Sequence, residues 1–381
     1  MDSVVIKRLE AFVFRHTIGV PVATSFGVMH DRPAVFVRIE DADGAFGWGE
    51  IFANWPAAGA EHRARLLQMD VADLVLGMRF KEPGDLFAKL EEETQIRAIQ
   101  CGELGPFRQV IAGLDTAMWD LFARRADVPL RRALAKDAPD SVPAYASGIA
   151  IHRSKEDVPA ARAKGFRAFK VKVGFDLQAD VDGVRGTVNA LEDGEALFCD
   201  ANQAWGIGCA TYFVDRLNDA SIGWLEEPLR VDAPAADWKQ LAEATTIPLA
   251  GGENIATVSD FEEAINAGAL RVLQPDVAKW GGLTGCMVVA SKALSAGRRY
   301  CPHFLGGGLG LLASAHLLAA VGGDGLLEVD VNPNPLRDAF LPPDGGFKDS
   351  KFSMSEAPGL GVEQLPEEIL RMKTLEIERH V

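Results

Sequence analysis

The 381-residue sequence has little cysteine, no basic cluster and no long apolar run. Its five cysteines include no CxxC pair, so neither a disulfide framework nor a thiolate zinc site is indicated. Lys and Arg number 39 against 54 Asp and Glu, which argues against a nucleic-acid or anionic-membrane partner. No apolar run reaches the roughly 18 residues of a membrane span, and no signal-peptide pattern opens the chain. These absences predict a cytoplasmic protein that acts on a small molecule.

Hydrophobic residues make up 48% of the chain and charged residues 24%, which is enough apolar material for a large core. The length exceeds one ordinary domain and suits a barrel of typical size with a smaller companion. At the N-terminal end, apolar runs at 4–6, 34–39 and 46–50 predict an antiparallel strand meander. Helical spacing of apolar residues follows at 58–69 and 110–125, so this region is predicted to be α+β.

From residue 142 the pattern changes to short apolar runs, each followed by a helical segment, as in parallel βαβ units. Strands are predicted to start near Val142, Phe166, Ala196, Ile222, Ile247, Leu270, Arg298 and Gly325. The starts are 23 to 30 residues apart, and so regular a period favours a closed barrel over a doubly wound sheet. The glycines at 306–310 follow the seventh strand, where barrels often bind an anionic group at a helix N-terminus.

Carboxylates stand at three consecutive strand ends of this predicted barrel. Asp200 ends the third run, Glu226 ends the fourth, and Glu253 lies just past the fifth. Each alone is most simply a solvated acid, but the C-terminal ends of barrel strands share one cavity, and three in register favour a metal site. Hard oxygen ligands without His or Cys describe Mg²⁺ better than zinc or iron. Glu227 adjoins Glu226 on one strand, and strand alternation leaves open which of the two faces the cavity.

Candidate acid/base groups lie at the remaining strand ends. Lys170 and Lys172 share one face of the second strand, and either that face is solvated or the two ammonium groups lower each other's pKa and supply a general base. Asp276 and His303 end the sixth and seventh strands, so the carboxylate could orient the imidazole; a purely structural histidine is equally favoured. Glu328, at the eighth strand end, either caps the strand into solvent or, if burial protonates it, donates a hydrogen bond to an enolate oxygen.

Together with the helical segment 112–120, these motifs resemble the enolase superfamily, specifically its mandelate racemase subgroup. The resemblance covers nearly the whole chain and implies a modified TIM barrel, (β/α)7β, with an N-terminal α+β capping domain. The implied boundaries are 1–125 for the capping domain, 126–340 for the barrel, and 341–381 for a C-terminal segment that packs on the capping domain, including a charged helix from Pro366.

The resemblance also implies roles for the candidate residues. Mg²⁺ would be held by Asp200, Glu226 and Glu253, which selects the first acid of the Glu226-Glu227 pair. Lys172 would be the base on one face of the substrate, and His303, assisted by Asp276, the acid/base on the other. The remaining implied roles are substrate-carboxylate binding by Lys170, a polar place beside the metal for Asn202, and donation to the enolate by Glu328.

The implied reaction begins with removal of the proton α to a substrate carboxylate. Loss of a β-hydroxyl would follow, which makes the expected enzyme a sugar-acid or hydroxy-acid dehydratase whose product is a 2-keto acid. Racemisation or epimerisation by the same two bases is the alternative. A catalytically silent binding barrel would require a broken constellation, and none is visible in the sequence. A small carboxylate partner and, by analogy, a homo-oligomer are expected.

Two segments of the capping domain, 18–32 and 52–56, are expected to roof the substrate pocket. Their polar or amphipathic candidates for substrate binding are Thr24, Ser25, His30, Arg32, Asn54 and Trp55. Because the roof mixes apolar and polar side chains, a compact hydroxy acid or a diacid is at least as favoured as a long sugar acid. Some of these residues could instead be part of the core of the capping meander.

Overall fold

An antiparallel sheet backed by helices forms the N-terminal part of the computed structural model, which describes residues 3–342 and 346–381. Its elements are β1 (Val4–Thr24), β2 (Gly27–Asp41), β3 (Phe46–Ile51), α1 (Gly59–Leu66), β4 (Arg79–Phe80), α2 (Pro83–Cys101), α3 (Leu104–Arg125) and α4 (Leu130–Leu134). Strands β1, β2 and β3 pair antiparallel in sequence order, which confirms the predicted meander. Helices α1 and α3 lie where helical spacing predicted them, whereas α2 was not predicted.

A parallel barrel follows. Its strands are β5 (Ser141–Ala150), β6 (Ala168–Lys172), β7 (Ala196–Asp200), β8 (Ile222–Glu226), β9 (Leu249–Gly251), β10 (Leu270–Leu273), β11 (Arg299–Tyr300) and β12 (Leu327–Asp330). Each pairs in parallel with the next from β5 to β11, and β12 pairs in parallel with β5. Each predicted start lies within two residues of the observed one, so the predicted barrel is confirmed.

Helices alternate with the barrel strands and cover the outside of the barrel. They are α5 (Ser154–Ala163), α6 (Leu177–Val188), α7 (Ile207–Leu217), α8 (Ala235–Ala244), α9 (Val258–Ala267), α10 (Gly282–Ser295) and α11 (Gly308–Val321). Every strand from β5 to β11 is followed by one of them, which gives the (β/α)7β order. None of the helices in the described part of the chain combines the length and apolar character needed to cross a bilayer.

The C-terminal segment contacts both parts of the molecule. It contains α12 (Pro335–Asp338), β13 (Phe347–Lys348), β14 (Lys351–Ser353), α13 (Glu367–Leu370) and β15 (Lys373–His380). Strand β14 pairs antiparallel with barrel strand β5, whereas β15 pairs antiparallel with β1.

The predicted charged helix from Pro366 is wrong beyond one turn. Leu375 and Ile377 alternate with exposed charged residues, and this period of two favours a strand that buries one face.

Helix α3 packs directly on β3 because glycines remove the side chains between them. A Cβ atom added at Gly47 would lie 2.0 Å from the Ala117 carbonyl oxygen, and one at Gly49 would lie 2.0 Å from that of Gly113. The backbones of helix and strand are therefore in contact, as small residues allow. This contact fixes the position of β3, whose C-terminal end reaches the barrel.

Two carboxylates of α3 join the three parts of the chain. Asp115 accepts hydrogen bonds from the Thr284 backbone N–H at 2.9 Å and its hydroxyl at 2.6 Å, at the start of α10. Asp120 accepts from the backbone N–H groups of Trp48 at 2.7 Å and Leu360 at 2.5 Å. Burial raises the pKa of Asp115 to about 7, although the bonds from Thr284 oppose the shift. Helix α3 thus holds the capping domain, the barrel and the C-terminal segment together.

The substitution Gly49→Ala is expected to lower the free energy of unfolding by about 1–3 kcal/mol, because the added methyl group collides with helix backbone that cannot move alone. Urea unfolding followed by circular dichroism measures the change. Gly186→Ala is the control, since this glycine is exposed in α6 and a Cβ atom added there would have no heavy atom within 4 Å. It is expected to stabilise the helix by up to about 1 kcal/mol. Equal effects of the two substitutions would contradict the packing account.

Candidate active site

The strand ends bring the candidate acids and bases to one mouth of the barrel. Lys172 stands opposite Asp200 in the β6–β7 ladder, and Asp200 stands opposite Glu226 in the β7–β8 ladder. Glu253 follows β9 by two residues, through Gly252 with φ +136°. At Gly252 a Cβ would lie 2.9 Å from the Gln274 backbone nitrogen, so only glycine permits this path. Three carboxylates therefore end or follow consecutive strands, as the sequence predicted.

Each of these carboxylates is held by a basic side chain. The pairs are Lys172 Nζ with Asp200 Oδ2 at 2.5 Å, Lys170 Nζ with both Glu226 oxygens at 2.8 Å, and His303 Nε2 with Glu253 Oε2 at 2.5 Å. Across residues 3–342 and 346–381, no three His, Cys, Asp or Glu side chains form a ready-made metal cage. Asp200, Glu226 and Glu253 thus lie at neighbouring strand ends with their oxygens turned toward bases.

The adjacent acids Glu226 and Glu227 face opposite ways. Glu226 points into the barrel, where Gln274 Nε2 donates to it at 2.7 Å beside Lys170. Glu227 has φ +38°, and both of its oxygens accept from Asn254 Nδ2, at 2.9 and 3.0 Å. Burial raises the pKa of Glu226 to about 7, with repulsion from Asp200 adding to the shift. The geometry therefore places Glu226 in the barrel mouth.

The two lysines of β6 both face the barrel interior. Lys170 is fully buried, and its Nζ also lies 2.7 Å from Glu328 Oε1. Burial lowers the pKa of each ammonium group, but the surrounding carboxylates, Glu226 for Lys170 and Asp200 for Lys172, outweigh it and raise both pKa values. Repulsion from Lys170 does lower the pKa of Lys172, as the sequence predicted, but the acids outweigh it, so the expected lysine with a lowered pKa is wrong for this arrangement.

The predicted pairing of His303 with Asp276 is present. His303 Nδ1 lies 2.7 Å from Asp276 Oδ2. The other carboxylate oxygen of Asp276 accepts from the backbone N–H groups of Ala278 at 2.8 Å and Lys279 at 3.1 Å, which fixes its orientation. Burial lowers the pKa of His303, but attraction to Glu253, Glu328 and Asp276 outweighs it and raises the pKa well above its usual range.

The surroundings of Glu328 favour its ionised form over the protonated donor, which was one of two interpretations that the sequence left open. Burial raises the pKa of its carboxyl group, but Lys170 and His303 outweigh burial and lower the pKa to about 2. Glu328 accepts hydrogen bonds from the Ser147 hydroxyl at 2.5 Å and the Phe304 N–H at 3.2 Å. The interpretation as a neutral donor considered burial alone, whereas two cationic side chains share the site. The alternative of a carboxylate that caps the strand into solvent is wrong, because Glu328 is buried.

The glycine segment 306–310 binds a carboxylate of the protein itself. Glu50, at the end of β3, accepts from the Gly307 N–H at 2.5 Å and the Gly310 N–H at 2.8 Å. The predicted anion site is thus filled by an internal side chain from the capping domain. Just beyond it, the Phe52 N–H donates to the Ala278 carbonyl at 3.2 Å, and Asn54 Nδ2 donates to the Leu305 carbonyl at 2.7 Å. The capping domain therefore contacts both loops that carry the His303–Asp276 pair.

A cavity of about 480 Å³ lies between the barrel mouth and the capping domain. Its barrel side includes Lys172, Asn202, Gln203, Glu253, Lys279 and His303. Its capping side includes Thr24, Phe26, Phe52, Asn54, Trp55 and Gln109. Both predicted roof segments contribute to it, and the rings of Phe26 and Trp55 pack edge to face at 5.6 Å. The cavity has the size of a small-molecule site.

Four residues that were candidates for substrate binding are absent from the wall of this cavity. Lys170 lies among Glu226 and Glu328 and is absent from the cavity wall. The Ser25 hydroxyl donates to the Asn202 carbonyl at 2.7 Å and so fastens the roof to the barrel. His30 is exposed, because its neighbour Met29 takes the buried face of β2. Arg32 is buried in an ion pair with Asp330 at 2.7 Å, which connects the capping domain to β12.

The sequence interpretation missed four polar residues of the cavity wall, which are Gln203, Lys279, Asn254 and Gln109. Gln203 follows Asn202 directly and has φ +62° in the loop after β7. Lys279 follows Asp276 by three residues, and its Nζ donates to Asn254 Oδ1 at 2.8 Å. Gln109 belongs to α3, where helical spacing groups it with the core, so the sequence offered no signal for it. Proximity to a strand-end motif could have indicated the first three.

Family comparisons agree with this geometry. The family described as "Mandelate racemase / muconate lactonizing enzyme, N-terminal domain" matches residues 8–134, and "Enolase C-terminal domain-like" matches residues 153–368. The chain belongs to the mandelate racemase/muconate lactonizing enzyme family. Membership confirms the resemblance and the capped (β/α)7β barrel.

Solved structures with the same fold include a mandelate racemase/muconate lactonizing enzyme from Bordetella bronchiseptica RB50, with 49% identity and a TM-score of 0.90 over 95% of this chain and 98% of that one. A racemase from Streptomyces coelicolor A3(2) with bound magnesium has 28% identity and a TM-score of 0.85, and the match covers 97% of this chain and 100% of that one. Curated relatives include the 3,6-anhydro-alpha-L-galactonate cycloisomerase of Streptomyces coelicolor, 32% identical over 76% of this chain and 79% of the relative. The arabinonate dehydratase of Saccharolobus solfataricus is 26% identical over 87% of this chain and 88% of the relative.

The Glu50 contact predicts a pH-dependent part of the stability. Burial raises the pKa of Glu50 to about 7 in the folded protein, while the N–H groups of Gly310 and Gly307 oppose the shift. Because the folded state holds this proton more tightly than the unfolded state, the contribution of Glu50 to the free energy of unfolding falls as pH rises from about 4.5 to about 7. The loss is on the order of 3 kcal/mol.

Urea unfolding of the wild type and of Glu50→Gln at pH 5 and pH 8 checks this, since other titrating groups cancel in the difference between the two proteins. The wild type should lose stability relative to the variant between the two pH values. Glu92→Gln, at an exposed position of α2, is the matched control. A difference between wild type and Glu50→Gln that stays constant with pH would contradict the expected titration.

Proposed function

We propose that the protein is a Mg²⁺-dependent enzyme that removes the proton α to the carboxylate of a small hydroxy acid or sugar acid, then eliminates a β-hydroxyl to give a 2-keto acid. One observation carries the proposal: Lys172 and His303, from separate strand ends, line the same cavity, and each contacts a carboxylate. The dehydratase among the family relatives supports it. A cytoplasmic location and a homo-oligomeric assembly stay predictions.

The residues at the barrel mouth fit a divalent cation. The carboxyl groups there are Asp200, Glu226, Glu253, Asp276 and Glu328, and the basic groups are Lys170, Lys172, Lys279 and His303. Acids thus exceed bases in a buried region. The atoms that the acids offer as metal ligands are all oxygen, which Mg²⁺ prefers. Asp200, Glu226 and Glu253 would hold the ion once Lys172 and His303 release two of them. When bound, Mg²⁺ would supply positive charge that stabilises negative charge on the substrate.

Lys172 is the proposed base for the α-proton, in the neutral form that it would adopt once a bound cation takes its place beside Asp200. Its Nζ lies beside Asp200 at the cavity wall, and its side chain is 13% exposed, so a substrate can reach it. A proton α to a carboxylate is very weakly acidic, so the enediolate that forms needs nearby positive charge. Lys170 contributes such charge from beneath the cavity wall, where it is fully buried and neutralises Glu226 and Glu328.

His303 is the proposed acid on the other side of the substrate. Asp276 holds Nδ1, which leaves Nε2 as the nitrogen that exchanges protons at the cavity. As the Cβ–O bond breaks, its electron pair leaves with the hydroxyl group, which takes a proton from Nε2 and departs as water. The remaining enol tautomerises to the 2-keto acid.

Racemisation or epimerisation is the second candidate, because the same pair of groups could return a proton to the α-carbon from the opposite face. The related racemase supports it. The two reactions share the first step and differ in the product, since only dehydration forms a keto acid.

With Mg²⁺ in D₂O, the protein is expected to exchange the α-proton of its substrate and to form a 2-keto acid, as proton NMR and semicarbazide detection would show. Lys172→Ala should reduce exchange at least about 100-fold, because it removes the base. His303→Asn should retain exchange and lose keto-acid formation to a similar extent. EDTA should abolish both.

Lys155→Ala, at an exposed position of α5, is the control and should match the wild type. Unchanged exchange in both active-site variants would disprove the two-group mechanism. Exchange with formation of an epimer and no keto acid would favour racemisation or epimerisation over dehydration.

A further inference from the structure

Charged groups in the cavity are confined to its barrel side. Lys172, Glu253, Lys279 and His303 all belong to strand-end loops and are bonded to one another or to their neighbours there. The capping side, among the described residues, contributes aromatic rings, amides and one hydroxyl but no charge. Arg63 lies behind this wall, where it is buried and donates to Gln109 and to the Trp55 carbonyl. A second substrate carboxylate at the roof would therefore meet no cation on the wall.

Among the amide side chains of the cavity, Gln109 and Asn54 on the capping side and Gln203 on the barrel side each make a hydrogen bond to the protein. Gln109 Oε1 accepts from Arg63 Nε at 2.8 Å, and Gln203 Oε1 accepts from the Val231 N–H at 2.8 Å. Asn54 is instead fixed through its NH₂ group, since its Nδ2 donates to the Leu305 carbonyl. In each amide, one polar group, the carbonyl oxygen or the NH₂ group, is therefore bonded to the protein, and the other is available to a ligand. The available groups are two N–H₂ donors, on Gln109 and Gln203, and one carbonyl acceptor, on Asn54.

Thr24 adds a second acceptor, because its hydroxyl donates to the Gly27 carbonyl at 3.0 Å and keeps its lone pairs free. These four side chains thus offer two donors and two acceptors. A hydroxyl group both donates and accepts, whereas a carboxylate only accepts and would leave Asn54 Oδ1 unpaired. A phenyl group would leave all four positions unpaired, and each unpaired buried polar group is unfavourable. The rings of Phe26, Phe52 and Trp55 supply apolar surface for the C–H faces of a carbon chain.

Building on the proposed function, we infer that the substrate has one carboxylate, bound at the barrel side, and a neutral polyhydroxylated chain at the other end. An aldonic acid has this form. An aldaric acid, which carries a carboxylate at each end, and an aryl-substituted hydroxy acid do not.

The test uses the Mg²⁺-loaded protein with stereochemically matched pairs of aldonic and aldaric acids and with mandelate as an aryl acid. Calorimetry measures the dissociation constant of each, and α-proton exchange in D₂O measures turnover. The best aldonate is expected to bind and react at least about 100-fold better than its matched aldarate or mandelate, since a site built to bind hydroxyl groups rejects analogues that leave its polar groups unpaired.

A charge added to the wall should change this preference. Gln203→Lys places a cation at the cavity and is expected to improve the dissociation constant of the matched aldarate at least about 10-fold while weakening that of the aldonate. Gln100→Lys adds the same charge at an exposed position of α2, away from the cavity, and should leave both constants unchanged.

The outcomes separate the two claims. Preference of the wild type for the aldarate or for mandelate, in binding and in exchange, overturns the inferred substrate class and leaves the proposed reaction standing. Preferential aldonate binding without exchange or keto acid supports the substrate class and contradicts the proposed reaction. Equal gains in aldarate affinity from Gln203→Lys and Gln100→Lys would also overturn the inference, because a general charge effect would then explain them.

Discussion

The excess of buried carboxylate at the barrel mouth is the constraint on which the rest of the site depends. A charged group removed from water is strongly unfavourable unless an opposite charge or several hydrogen bonds compensate it. Asp200, Glu226 and Glu253 each meet this requirement through a basic side chain, and Asp276 meets it through two backbone N–H groups as well as His303. The bases that serve the proposed chemistry thus also stabilise the acids, and a divalent cation would take over part of that role.

Such a charge-dense site needs a rigid frame, and the capping domain supplies much of it. The backbone contact of α3 with β3 fixes the strand whose end carries Glu50. Glu50 then occupies the N-terminus of α11, while the following residues bond to the loops after Asp276 and before the glycine segment. The helix dipole favours a carboxylate at this position, although burial opposes its ionisation. The orientation of His303 is therefore linked to the packing of a separate part of the chain.

The sequence predicted features that depend on short segments, and it failed where many distant groups act together. Strand starts and strand-end residues follow from local periodicity, so the barrel and the adjacency of His303 with Asp276 were predictable. The pKa directions of Lys172 and Glu328 were not, because each is the balance of burial against several charges from other strands. The carboxylate at the glycine segment was not predictable either, since Glu50 is more than 250 residues away in sequence.

The division of the cavity into a charged barrel side and an uncharged capping side has a structural cause. Ladder register places the charged side chains at strand ends, where each is paired, so replacing one leaves its partner buried and uncompensated. The roof residues come from the capping domain. Two uncharged amides of the cavity, Asn54 in the roof and Gln203 on the barrel side, are each held by a single hydrogen bond to backbone. Changing them unpairs no charge. Because the two sides come from different parts of the chain, recognition of the far end of a substrate can vary while the arrangement of acids and bases around its carboxylate stays fixed.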